Sequence, residues 1–170
     1  MKKVLFVLLA FGISGCKKDN PPVDKRSAAI VTQKVDASAL LKGYEVVRVA
    51  LAADDMKATQ AGGAALAKMA STQTNAAKGE EQKTLQRLTQ TAQKVATSKD
   101  FDAARLAFGE MSKQTLLLIA TDTGRKQGVT AYQCPMAKGY KKWIQLDQEM
   151  ANPYMGKSML KCGGKDTLAP

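Results

Sequence analysis

Between Ser38 and Thr121, apolar residues return every three or four positions in four successive stretches, a period that fits helices and not strands. The first stretch, roughly Ser38–Ala53, carries Leu40, Tyr44, Val47 and Leu51 on one face, with Asp36 or Ser38 placed to cap its start. Asp54-Asp55 interrupts the pattern and suits the cap of a second helix, roughly Met56–Ser71, whose apolar positions are mostly Ala with Leu66 and Met69. Gly62-Gly63 weakens this helix by up to about 1 kcal/mol per glycine relative to Ala, and it lets a neighbouring helix come close. Thr72–Gly79 reads as a polar turn. The third helix, roughly Glu80–Ala96, has a stripe of Leu85, Leu88, Ala92 and Val95, and Glu80-Glu81 suits the positive end of a helix dipole. After Thr97-Ser98-Lys99, Asp100 caps a fourth helix, roughly Phe101–Thr121, that buries Phe101, Ala104, Phe108, Met111, Thr115 and Leu118; Gly124 fits a helix stop. Helices of similar length joined by short loops predict an all-α fold, an antiparallel four-helix bundle spanning residues 34–124.

What precedes the bundle reads as an address and a tether. Lys2 and Lys3 give a positive start, Val4–Ile13 an apolar run, and Ile13-Ser14-Gly15-Cys16 a lipobox. A permanent membrane span needs about 20 apolar residues, so residues 1–15 are expected to be a cleaved signal peptide. Cys16 is then the lipidated first residue of a lipoprotein, acylated and lost to disulfide or metal chemistry. The second residue of that mature chain is Lys17 rather than Asp, which by the sorting rule of the lipoprotein class favours the periplasmic face of the outer membrane. Residues 16–33, with Pro21-Pro22 and little to bury, form a flexible tether.

The chain has 26 Lys plus Arg against 15 Asp plus Glu, and loss of Lys2 and Lys3 with the signal leaves an excess of nine positive charges. These charges are scattered over helical faces, as solvated surface, and no nucleic-acid motif accompanies them. There is no histidine, which excludes a His-dependent catalytic triad and His-built zinc sites. No acid/base pair or phosphate loop stands out, and no enzyme is expected.

The chemistry concentrates in residues 125–165, ahead of a short tail at 166–170. Cys134 and Cys162, the two cysteines other than Cys16, lie here, with Met136, Met150, Met155 and Met159 and the single tryptophan, Trp143. Thiolates and thioethers are soft ligands that select Cu(I) and similar ions. Cys134-x-Met136 sets two sulfurs two residues apart in a turn; Met159-x-x-Cys162 sets two more on one face of a helical turn, and Met155 precedes Met159 by four. If the ends of this segment meet, a copper(I) site follows. Equally, two cysteines in an oxidising compartment can pair, and a Cys134–Cys162 disulfide closing this loop would contribute about 3–4 kcal/mol. In that case the methionines fill gaps and Trp143 and Tyr154 pack an irregular strap onto the bundle. Spacing alone favours the disulfide and leaves the metal site open. Structural zinc would want paired C-x-x-C knuckles, which are absent.

Cys134-Pro135-Met136-Ala137, Trp143, Asn152-Pro153-Tyr154, Gly156, Met159-Leu160 and Cys162-Gly163 resemble the signature of domain of unknown function family 3347. The resemblance is most specific over Tyr132–Gly163; upstream, Phe108-Gly109-Glu110-Met111-Ser112 is similar to a family segment. Gln133 stands where many members carry Tyr, the stretch between Ala137 and Trp143 is shorter and more basic, and Met155 replaces a common Phe, adding a sulfur. Members occur as exported proteins, some joined to periplasmic adaptor subunits of copper/silver efflux pumps. The resemblance therefore implies an exported helical domain linked to heavy-metal handling, with Cys134, Met136, Met159 and Cys162 at the positions of the family's Cys and Met. The expectation is an envelope lipoprotein that binds copper or a similar soft ion, for tolerance or hand-over to an efflux adaptor. The alternative is a disulfide-stapled structural or interaction lipoprotein.

Overall fold

The computed structural model describes residues 34–120, 128–147 and 149–170. The signal peptide, Cys16, the tether and the Gly124 helix stop lie outside the described residues. Helices α1 (Ala37–Ala52), α2 (Met56–Thr74), α3 (Gly79–Ala96) and α4 (Phe101–Ala120) each pack on their neighbours in sequence, and α1 also packs on α4. Their starts follow the sequence signals. The carboxylates of Asp36, Asp55 and Asp100 accept from Ala39 N, Ala58 N and Ala103 N at 2.8–2.9 Å, each satisfying an amide that the helix cannot.

Helix α2 runs three residues beyond the end expected from its apolar pattern. Thr72 and Thr74 turn their hydroxyls back onto Met69 O and Ala70 O, and Gln73 Oε1 accepts the amide of Asp36. Polar residues thus continue the helix because each finds a backbone partner. The stripes Leu40/Tyr44/Val47/Leu51 and Leu85/Leu88/Ala92/Val95 are buried as expected, as are Leu66, Phe108 and Met111; Met69 and Phe101 sit half-buried at the margin. A Cβ on Gly63 would meet the Ala96 amide and Ala92 carbonyl of α3 at 2.8 and 2.9 Å, so the two backbones approach closely at that glycine. No helix among the described residues is long and apolar enough to cross a membrane.

The C-terminal segment corrects the all-α expectation. Instead of an irregular strap it forms a three-stranded antiparallel sheet of β1 (Thr130–Gln133), β2 (Lys142–Gln145) and β3 (Gly164–Asp166), in the order β2-β1-β3. Tyr132 is paired with Trp143 on one side and Lys165 on the other. Aromatic and β-branched residues favour a half-buried pleated surface, but strands of three or four residues are too short for alternation to show. Asp166, assigned from sequence to the tail, pairs with Ala131 inside β3, and Lys142 Nζ binds both its carboxylate (3.3 Å) and Ala169 O (3.0 Å).

The sheet is fastened to the bundle along the outer edge of β2. Ile144 N donates to the Tyr44 hydroxyl of α1 (3.3 Å), which donates to Ser112 Oγ of α4 (3.1 Å), which donates to Lys142 O (3.0 Å). The Tyr154 hydroxyl donates to the same carbonyl at 2.7 Å. An edge strand otherwise leaves such groups unpaired; here side chains from two helices satisfy them. Tyr132, Trp143, Tyr154, Phe108 and Tyr44 form a continuous run of rings, with centroids 5.2–6.0 Å apart, from the sheet into the core.

Candidate metal centre

Cys134 follows β1. Its amide donates to Lys141 O (3.1 Å), and its carbonyl accepts from Ala137 N (3.2 Å), closing a turn over Pro135 and Met136. Proline at the second position of such a turn presets its φ. The turn buries Cys134 completely and leaves Met136 57% exposed.

Cys162 arrives from the opposite side, after the 3-10 turn Gly156–Met159, with its amide on Met159 O at 2.9 Å. Asn152, fully buried, holds this loop at both ends. Its amide donates to Leu160 O (2.8 Å) and its side-chain amide to Cys162 O, while Oδ1 accepts from Tyr154 N (2.7 Å) and Met155 N (3.2 Å). Two glycines fix the path. Gly156 has φ +57, and a Cβ there would collide with the Asp54 carboxylate and the Arg105 guanidinium. Gly163 has φ +133, and its Cβ would lie 2.7 Å from Gln133 O and 3.1 Å from the Trp143 ring. Asp54 is itself locked, by Arg105 on one oxygen and the Lys157 amide (2.9 Å) on the other.

The outcome is a cluster of three sulfurs from the two ends of the segment. Cys134 Sγ lies 3.7 Å from Cys162 Sγ, and the Cys162 thiol donates to Met136 Sδ at 3.9 Å. Both cysteines are free thiols; a bonded pair would stand at about 2.05 Å. Loss of hydration, and then the hydrogen bond and charge of Cys134, push the Cys162 thiol above its ordinary pKa. Trp143, fully buried, bonds Gln145 Oε1 through its indole N–H at 3.1 Å.

The residues singled out from sequence divide into three groups. Cys134, Cys162 and Met136 come together. Met155, half-buried, lines an adjoining cleft that Met136 also borders. Met159 sits on the turn that leads into Cys162, with its side chain 42% exposed. Asn152, Gly163 and the Asp54–Arg105 lock received no positioning role from sequence. Asn-Pro at 152–153 is a turn-initiating pair and could have revealed the first of these. Among the described residues no group of three or more His, Cys, Asp or Glu converges to hold a metal. The cluster is two thiols and a thioether, a chemistry that suits soft ions rather than calcium or magnesium.

No curated protein and no solved structure matches the chain. The model of the family described as "Protein of unknown function (DUF3347)" matches residues 40–127, the range of the four helices, and stops short of the sulfur cluster. The motif resemblance over Tyr132–Gly163 lies beyond that range, so the helical half carries the assignment. On that match across half of its length, the chain belongs to the DUF3347 family.

Proposed function

We propose that this protein is an envelope lipoprotein, anchored through Cys16 at the periplasmic face of the outer membrane, that binds copper(I) or a similar soft ion for tolerance or for hand-over to an efflux adaptor. In this reading the four helices form an antiparallel bundle that serves as the rigid support. The observation that carries the proposal is the spacing of the three sulfurs, 3.7 and 3.9 Å. With metal–sulfur bonds of about 2.3 Å, a three-coordinate ion separates its ligands by about 4 Å, close to both separations from Cys162. Cys134 and Cys162 would bind as thiolates and Met136 as a thioether, with Met159 in reserve on the neighbouring turn. Two thiolates on Cu(I) leave one net negative charge, which the basic surroundings of the segment tolerate. Binding, not catalysis, is proposed.

The test is an anaerobic competition titration of Cu(I) against a chromogenic chelator, on reduced, detergent-solubilised mature protein. Wild type should take up one equivalent. Cys134→Ser/Cys162→Ser should lose competition altogether, and Met136→Leu should weaken it by at least the roughly tenfold that loss of a ligand's outer-shell partner already costs. The same 3.7 Å gap favours a second reading, in which an envelope oxidant closes Cys134–Cys162 into a staple worth about 3–4 kcal/mol for a loop of this length. A disulfide in protein isolated from the envelope, with no copper taken up after reduction, would establish that reading and end the metal proposal.

A further inference from the structure

We infer that the cleft between Met136 and Met155 is a separate capture site for a soft monovalent cation, through which copper(I) reaches the thiols; the inference rests on the metal-binding reading above. The cleft encloses about 200 Å³ against α4 and is bordered by Met136 and Met155, together with Asp102, Arg105 and Lys138. Met136 belongs to two places at once. Its side chain borders the cleft, and its sulfur accepts the Cys162 thiol at 3.9 Å. Cys134 has no exposed surface, so an ion arriving from water meets Met136 and Cys162 before it can meet Cys134.

The charge of the cleft suits such a path. Its two cationic groups are paired, Lys138 with Asp102 (3.2 Å) and Arg105 with Asp54, so an incoming cation meets a balanced surface. Thioethers carry no proton and bind soft ions without competition from acid. The exchange balances simply. Copper(I) leaves its carrier for the Met155 and Met136 sulfurs. Its bond to Met155 then breaks as a bond to Cys162 forms, and the Cys162 thiol proton, which pointed at Met136, passes to water. Cys134 binds next and releases its proton the same way. Copper remains monovalent throughout, and Met136 keeps its bond.

The cleft can be tested without the thiols. In Cys134→Ala/Cys162→Ala protein carrying ¹³C-methyl methionine, anaerobic titration with silver(I) nitrate should move the Met136 and Met155 ε-methyl resonances together, ahead of those of the other methionines. In protein with its thiols intact, Met155→Leu should slow stopped-flow capture of Cu(I) by about threefold or more, a larger change than its loss of equilibrium affinity. A Met155 methyl that does not respond to silver, or a Met155→Leu protein that captures copper at the wild-type rate, overturns the capture site even if wild type binds copper tightly. Silver moving both methyls in a protein whose thiols take no copper would overturn the thiol site and the route to it, leaving only a thioether site in the cleft.

Discussion

At the scale of single residues, the route of the chain into the sulfur cluster depends on two positions with left-handed backbone. Gly156 (φ +57) and Asp54 (φ +53) face each other, and the Asp54 carboxylate occupies the space that a side chain at 156 would need. Asp54 accepts that backbone cost because its two oxygens tie Arg105 of α4 and the Lys157 amide to the α1–α2 corner. Arg105 in turn donates to Pro153 O at 3.2 Å and lies 4.9 Å over the Phe101 ring. Gly156→Ala should therefore destabilise the protein by about 2–3 kcal/mol, the sum of φ strain and a steric clash. Asp54→Ala should cost about 1–2 kcal/mol from its lost charge-assisted bonds. In the double variant the clash with the Asp54 carboxylate has gone and Arg105, released from its partner, can move aside, while the strain remains, so the total should fall short of the sum by about 1 kcal/mol. Urea denaturation of the four proteins measures this, and strict additivity would show that the two residues do not share one lock.

At the scale of elements, the sheet is held by hydroxyl groups that look like ordinary core from the sequence. Tyr44 and Ser112 lie on the buried faces of α1 and α4, yet their hydroxyls connect Ile144 N to Lys142 O on the far strand. Tyr44→Phe leaves the Ile144 amide buried without its acceptor, and Ser112→Ala breaks the middle of the relay. Each should cost about 1–3 kcal/mol. Because the relay is already cut by either change, the pair should cost clearly less than the sum. Hydrogen exchange at the Ile144 amide should quicken in Tyr44→Phe before exchange in α2 and α3 changes; an unaltered Ile144 rate would mean the edge is not held this way. The helices were legible because their stripes repeat over four or five turns and their caps are local Asp residues. The sheet was not, since its strands offer three or four residues each and its partners lie 100 and 30 positions away. The same limit applies at the candidate site. Spacing brought Cys134 and Cys162 into one segment. Which methionine meets them was decided by the Pro135 turn and the β1–β3 register, and these put Met136 beside Cys162 and Met155 in the cleft.

At the scale of the whole molecule, the aromatic run joins sheet to bundle through hydroxyls that resist ionisation. Burial holds Tyr44 and Tyr154 well above the usual tyrosine pKa, outweighing the Ser112 hydrogen bond that acts in the opposite direction on each. In the unfolded chain both would ionise near pH 10. A group whose folded pKa is raised contributes stability that is complete below its unfolded pKa and declines as pH climbs toward the folded one. Above about pH 10 each such tyrosine should therefore steepen the loss of stability by about 1.4 kcal/mol per pH unit. The fold should open before either residue ionises within it. Phenolate absorbance at 295 nm should then contain a cooperative component that rises together with the loss of helical circular dichroism. Lysines also titrate in this range, so the comparison is with Tyr44→Phe, whose lysines are the same. That variant, though less stable at neutral pH, should lose stability more gradually between pH 10 and pH 11, by the slope of one tyrosine. Equal slopes in the two proteins, or full tyrosine ionisation while the helices persist, would mean that Tyr44 is open to water and that the sheet is not sealed onto the bundle through it.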